Sequence, residues 1–121
     1  MTSAETGRAG ERAAAEYLCR AGYDILARNW RAGRYELDIV ARHAGVLHFV
    51  EVKTRRAAGL TTPEQAVTPA KFRALQRAAL RYISLHGNAE EELQFDLAAV
   101  DVWPNGSMEV RLIERAMECH W

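Results

Sequence analysis

On both sides of the turn His43-Ala44-Gly45 the chain runs through apolar stretches whose far ends alternate charge with aliphatic bulk: Glu36-Leu37-Asp38-Ile39 before it, Val50-Glu51-Val52-Lys53 after it. This period-two pattern around a short Gly-containing turn predicts a β-hairpin, residues 36–41 and 46–53, and commits the chain to building a sheet. If the turn is the two residues Ala44-Gly45, His43 faces Val46, Asp38 lies opposite Glu51 and Glu36 opposite Lys53. Alternation then puts Glu36, Asp38, Glu51 and Lys53 on one face, with Leu37, Ile39, Val50 and Val52 on the other. A three-residue loop breaks that register unless a bulge restores it, and alanine is a poor residue for a tight primed turn.

Two carboxylates opposite each other at about 5 Å repel by roughly 3 kcal/mol at an effective dielectric near 20. Like charges are normally avoided at such cross-strand positions. Something must offset the repulsion: the Lys53 ammonium, or a divalent cation between Asp38 and Glu51. Mg²⁺ is hard and takes one or two carboxylates together with water and phosphate oxygens. Glu11 is a further candidate, because on a helical wheel it lies about 20° from Leu18 and about 60° from Ala14, at the edge of an apolar stripe. Each of these acidic segments alone fits a solvated face. Their joint placement is what points to chemistry.

Around the hairpin, Ala14, Tyr17, Leu18 and Ala21 recur at helical spacing, which predicts a helix over 7–20 with Gly22 past its end. A strand over 23–30 and a turn over 31–34 follow. A loop is expected from residue 54 to 63. Thr68-Pro69 reads as N-cap and first helical residue of a helix reaching about His86, where Gly87-Asn88 stops it. Phe72, Leu75, Ala79, Tyr82 and Ile83 form its apolar face. Strands over 93–103 and 108–113 flank the turn Pro104-Asn105-Gly106. The order helix, three strands, helix, two strands predicts an α/β sandwich around a mixed five-stranded sheet. One domain is expected over 1–121, with its core over 7–113 and a tail over 114–121.

At 121 residues, 49% hydrophobic and 26% charged, the chain has the composition of one globular domain. No stretch free of Asp, Glu, Lys and Arg exceeds eight residues, far short of a membrane span. The N-terminus has no basic segment leading into an apolar one, and Cys19 and Cys119 stand alone, so a cytosolic protein is expected. The net charge is zero, yet residues 53–82 carry seven basic side chains and one acid, while residues 83–121 carry two and eight. Such asymmetry suits a polyanionic partner for one face. Arg73, Arg77 and Arg81 recur every four residues, as a phosphate-facing stripe or as a plain solvent face. His48, mid-strand among apolar residues, reads as a packed histidine. His43, His86 and His120 show no metal-ligand spacing, and no nucleophile elbow or Gly-rich phosphate loop is present.

The chain resembles the YraN-like bacterial family over about residues 7–102. The motifs that carry the resemblance are Gly10-Glu11 with Ala14 and Tyr17-Leu18, Gly22-Tyr23 with Ile25-Leu26, Arg28-Asn29 with Arg31, and Glu36-Leu37-Asp38. The most specific is Phe49-Val50-Glu51-Val52-Lys53-Thr54-Arg55, followed by Pro63-Glu64, Ala66-Val67, Lys71 and Phe95-Asp96. That family is similar to archaeal Holliday-junction resolvases, which implies a restriction-endonuclease-like three-layer sandwich. The resemblance further implies that Asp38 and Glu51 bind Mg²⁺ (or Mn²⁺), that Glu11 completes the acidic cluster and that Lys53 assists the attacking water. Arg55, Lys71, Arg73 and Arg77 are then the residues expected to bind nucleic acid. Tyr35 stands where the family usually has glycine, and Gln94 where an arginine often precedes Phe-Asp. The reading that results is a metal-dependent endonuclease acting on DNA, branched or junction DNA included, with a homodimer as the implied assembly. The rival is a nucleic-acid-binding or partner-binding module that keeps the fold without cutting.

Overall fold

The first helix, α1 (Ser3–Arg20), begins at Ser3 rather than at residue 7 because a capping box starts it. The Thr2 hydroxyl accepts the Glu5 N–H at 3.1 Å, and the Glu5 carboxylate accepts the Thr2 N–H at 3.3 Å. The computed structural model describes residues 2–57, 67–87 and 90–117. Asn88, Cys119 and His120, the Pro63, Glu64 and Ala66 positions of the resemblance, and most of the loop expected over 54–63 lie outside those residues. Three strands follow α1: β1 (Asp24–Ala32), β2 (Tyr35–His43) and β3 (Val46–Arg56). The second helix, α2 (Pro69–His86), starts where its signals placed it, with Thr68 Oγ1 accepting the Lys71 N–H at 3.1 Å. Strands β4 (Glu92–Val102) and β5 (Met108–Met117) complete the chain.

The five strands form one sheet in the order β1-β2-β3-β4-β5, antiparallel except for the parallel β3–β4 pair. A parallel pair needs a crossover, and α2 lies in it. Alternate residues feed two cores. Val40, Leu47, Phe49 and Phe95 pack under Leu75, Ala78, Ala79 and Tyr82 of α2. Ile39, Ala41, Val50, Ala98 and Val100 pack under Ala14, Ala15 and Leu18 of α1. The result is an α/β three-layer sandwich around a mixed five-stranded sheet, as the element order implied.

The hairpin register is the expected one, from His43–Val46 to Ile39–Val50. Ala44 at φ 50° and Gly45 at φ 78° supply the two left-handed residues of a primed turn, so the alanine is accepted despite its strain. Other expectations change. The chain from Thr54 to Arg56 is strand rather than loop, because β4 pairs with β3 as far as Arg56–Val102. The segment after 113 is not a tail up to Met117, which pairs with Phe95 and is buried. Leu37 belongs to the α2-side core with Val40, not to the face of Ile39 and Val50. Strand β2 changes face at Asp38, opposite Asn29 with its left-handed φ of 50°.

Candidate active site

That change of face opens the sheet. The β2–β3 ladder stops at Ile39–Val50, and Asp38 Oδ2 then accepts the Val52 N–H at 2.9 Å. The side chain takes a hydrogen bond that a strand carbonyl would otherwise take, so β2 and β3 part here. Glu36 consequently does not lie opposite Lys53; it pairs with Arg31 at 3.4 Å instead. Asp38 and Glu51 do face each other, close enough for their carboxyls to hydrogen-bond. Burial, then the charge of Asp38, pushes Glu51 up to about 7. Burial also raises Asp38, against the Val52 N–H, Glu51 and Lys71, which hold it down. Both carboxyls are thus held up by burial, and Glu51 by Asp38 as well, the direction expected of two acids that face each other.

Glu11 reaches this place from the other side of the sheet. It is half-buried at the edge of the α1 stripe, and its carboxyl is raised by burial, by Asp38 and by Glu36, while a hydrogen bond from Asn29 opposes the shift. Gly10 makes the approach possible: a methyl group there would overlap the Thr54 hydroxyl of β3. Asp38 is thus the acid to which both Glu11 and Glu51 respond. Among the described residues no set of three or more His, Cys, Asp and Glu is grouped so as to hold a metal, so Glu11 stands beside the pair rather than in a three-ligand cluster. A cation here would draw on Asp38 and Glu51, with solvent and substrate oxygens for the remainder. Two hard, mutually repelling carboxylates suit Mg²⁺ or Mn²⁺.

The cation beside the pair is Lys71, whose Nζ lies 3.3 Å from Glu51 Oε1. Lys53, the expected counter-charge, is exposed and makes no ion pair among the described residues. It lies two positions beyond Glu51, about 7 Å along the strand, whereas Lys71, in the first turn of α2, reaches Glu51 with its side chain. Of the residues expected to bind nucleic acid, Arg55 is instead held by Asp101 at 3.0 Å and Lys71 by Glu51. Arg73 and Arg77 are exposed and unpaired among the described residues.

A second polar cluster was not foreseen. Asp96, with no exposed surface, accepts from His48 Nδ1 at 2.7 Å, Gln94 Nε2 at 2.8 Å and the Arg115 N–H at 2.9 Å. It sits where the β4–β5 register shifts and Arg115 turns left-handed at φ 53°. Tyr23 covers the cluster, stacked on His43 at 4.3 Å, its hydroxyl raised by burial, Glu114 and Asp96. His48 is therefore a packed histidine, as its neighbours suggested. Gln94 is buried and serves this network rather than the surface. The Phe95-Asp96 pair was the only trace of it in the sequence.

Comparisons with known proteins give the family. Residues 10–100, the span that holds Glu11, Asp38, Glu51, Lys53 and Lys71, match the profile described as Uncharacterised protein family UPF0102. A UPF0102 protein of Symbiobacterium thermophilum is 46% identical over 114 residues, covering 94% of this chain and 97% of the relative. One from Oleidesulfovibrio alaskensis is 51% identical over 94 residues, 78% of this chain but 46% of that longer protein. One from Geobacter sulfurreducens is 42% identical over 112 residues, covering 93% and 88%. With a match of this extent and relatives at these identities, the chain belongs to UPF0102, the YraN-like family.

Proposed function

We propose that this protein is a metal-dependent endonuclease that hydrolyses phosphodiesters in DNA, with branched or junction DNA as the substrate class that its resemblance to resolvases favours. The observation that carries the reading is the Asp38–Glu51 pair: two half-buried carboxyls facing each other where β2 and β3 part, with Glu51 raised to about 7. Folding alone gains nothing from that repulsion, and perturbed carboxyls in a cleft mark sites built for chemistry. Asp38 and Glu51 would hold Mg²⁺ or Mn²⁺, which when bound offsets the negative charge that builds on the phosphoryl oxygens. Lys71 opposes the rise of the Glu51 carboxyl and so favours its charged form. Lys53, free of any partner among the described residues, orients the attacking water and favours the charged transition state. As the water oxygen bonds to phosphorus it gives up a proton to solvent, the bond to the leaving sugar oxygen breaks, and that oxygen takes up a proton from solvent. Glu11 tunes Asp38 from the α1 side. Arg73 and Arg77 hold flanking phosphates; a homodimer in the cytosol is proposed with this reading.

A nucleic-acid-binding or partner-binding module that keeps the fold without cutting is the second reading. Tyr35 favours it, since a large side chain stands three residues before Asp38 on β2 where the resemblance puts glycine. Incubation of the protein with a panel of branched and linear DNAs, with Mg²⁺, with Mn²⁺ and with EDTA, separates the two. Cleavage that needs metal and disappears in Asp38→Asn and Lys53→Ala is the expected result. Binding of the panel with no cleavage in either metal would leave the second reading.

A further inference from the structure

The tip of the β1–β2 hairpin and the outer side of α2 enclose an open groove of about 700 Å³, in which Arg34, Tyr35, Arg77, Leu80 and Arg81 meet. Its charge is all of one sign. Over Pro69–His86 the helix carries no Asp or Glu, and none of the three guanidinium groups has an acidic partner among the described residues. Four arginines elsewhere do have acidic partners: Arg31 has Glu36, Arg42 has Glu91, and Arg55 and Arg111 share Asp101. The groove is also apolar where it is not charged. Leu80 is 52% exposed, and Tyr35 is half-buried against the α2-side core with the Arg34 guanidinium 5.6 Å from its ring centroid.

Cations alone would serve the backbone of any nucleic acid. A flat aromatic ring, a guanidinium beside it and an exposed leucine add surface for the face of a base, and a base inside an intact duplex has no face to offer. Tyr35 is three residues from Asp38 on the same strand, about 10 Å, so a strand with its phosphate at the carboxyl pair passes the groove with a neighbouring nucleotide. We propose that this groove is a subsite for an unpaired nucleotide, with Tyr35 and Arg34 stacking on its base and Arg77 and Arg81 holding its phosphates. The inference rests on the nucleic-acid reading above and narrows it to substrates with a single-stranded segment beside the scissile bond. An acidic peptide could use the three arginines but has nothing for the ring.

Anisotropy titrations in EDTA, where cutting cannot intervene, test it with a labelled single-stranded oligodeoxynucleotide, the same sequence as a blunt duplex, and polyglutamate as competitor. Tyr35→Leu, which keeps bulk against the core, should weaken single-strand binding about tenfold and duplex binding less than twofold. Tyr35→Trp should retain the wild-type preference. Arg34→Ala, at an exposed turn where folding is not at risk, should weaken the single strand several-fold and lower its salt slope by about one unit. Equal losses on both DNAs, no loss in either variant, or displacement by polyglutamate as readily as by an unlabelled single strand would overturn the subsite. Cleavage is read separately with Mg²⁺. Cleavage without the Tyr35 preference rejects the groove and leaves the nuclease, whereas the preference without cleavage keeps the groove and rejects the nuclease. Failure of the wild type to bind either DNA overturns both.

Discussion

Asp38 Oδ2 accepts the backbone N–H of Val52 at 2.9 Å, so a side chain ends the β2–β3 ladder. That bond fixes the Asp38 carboxylate in the gap between the strands and turns it toward Glu51; burial then raises both half-buried carboxyls, and the charge of Asp38 raises Glu51 as well. Strand separation and carboxyl pairing are one feature with one cause.

A pH dependence follows from Glu51. Its carboxyl rises from 4.5 to about 7 in the folded chain, so the native state holds the proton more tightly than the unfolded one. The contribution is fully present below the unfolded value and is lost as pH rises through 7; Asp38 is raised in the same direction. In EDTA, wild type should exceed Glu51→Gln in relative stability by about 2–3 kcal/mol more at pH 4.5 than at pH 8. Denaturant unfolding across that range measures it, and a difference independent of pH would mean that the pair is not strained.

Metal binding should compete with the same proton. At pH 8, millimolar Mg²⁺ or Mn²⁺ should raise the wild-type melting temperature, because a ligand stabilises only by binding the native state. Below pH 7 calorimetry should register proton release. Asp38→Asn retains an oxygen for the Val52 N–H while removing a charge, so in EDTA it should leave stability unharmed or raise it by about 1 kcal/mol. It should also abolish the response to metal. A destabilised Asp38→Asn together with a metal-insensitive wild type would remove the metal site.

The hairpin register was legible because a two-residue turn leaves no freedom: once Ala44-Gly45 is chosen, every pairing follows. Where the strands part was not legible, since it depends on one side-chain hydrogen bond and a left-handed Asn29, neither of which alters the period of the sequence. Glu11 could be placed because the helical wheel fixes its angle to Leu18. Lys71 could not be placed at Glu51, because the alternation of a strand says nothing of which helix turn descends on it; Lys53, two residues away, was the nearer cation in sequence only.

The two lysines should therefore separate in experiment. Lys71→Ala removes the partner of Glu51 and should cost about 0.5–1 kcal/mol at pH 8, where Glu51 is ionised, and raise the Glu51 carboxyl further. Lys53→Ala should change stability by less than about 0.5 kcal/mol while abolishing cleavage. Unfolding and cleavage measured on both variants check this; a stability loss confined to Lys53→Ala would reverse the assignment.

Arg73→Ala with Arg77→Ala should lower the slope of log K against log salt by one to two units for any DNA, about 0.9 for each phosphate that the protein no longer neutralises. Both side chains are exposed on α2 and unpaired among the described residues, so the fold should not suffer. An unchanged slope would make the stripe a solvent face.

The largest loss of stability should come from a residue away from the carboxyl pair. Asp96 has no exposed surface and accepts three hydrogen bonds, from the ring of one strand residue, the amide of another and the backbone of β5 at its bulge. Removing it leaves the Arg115 N–H and His48 Nδ1 without their acceptor in a place closed to water, and the Gln94 amide with only Glu114 Oε1 at 3.4 Å. Each orphaned donor costs about 1–3 kcal/mol, so Asp96→Ala should lose about 3–5 kcal/mol, comparable to breaking a buried ionic network. Asp96→Asn keeps one acceptor oxygen and should fall between wild type and alanine. The bulge gives a second, local readout: with no carboxylate to hold Arg115, backbone amides near residue 115 should exchange with solvent faster than those of β3. Slow exchange there in Asp96→Ala, or a loss below about 1 kcal/mol, would mean that the β4–β5 ladder holds its bulge without Asp96.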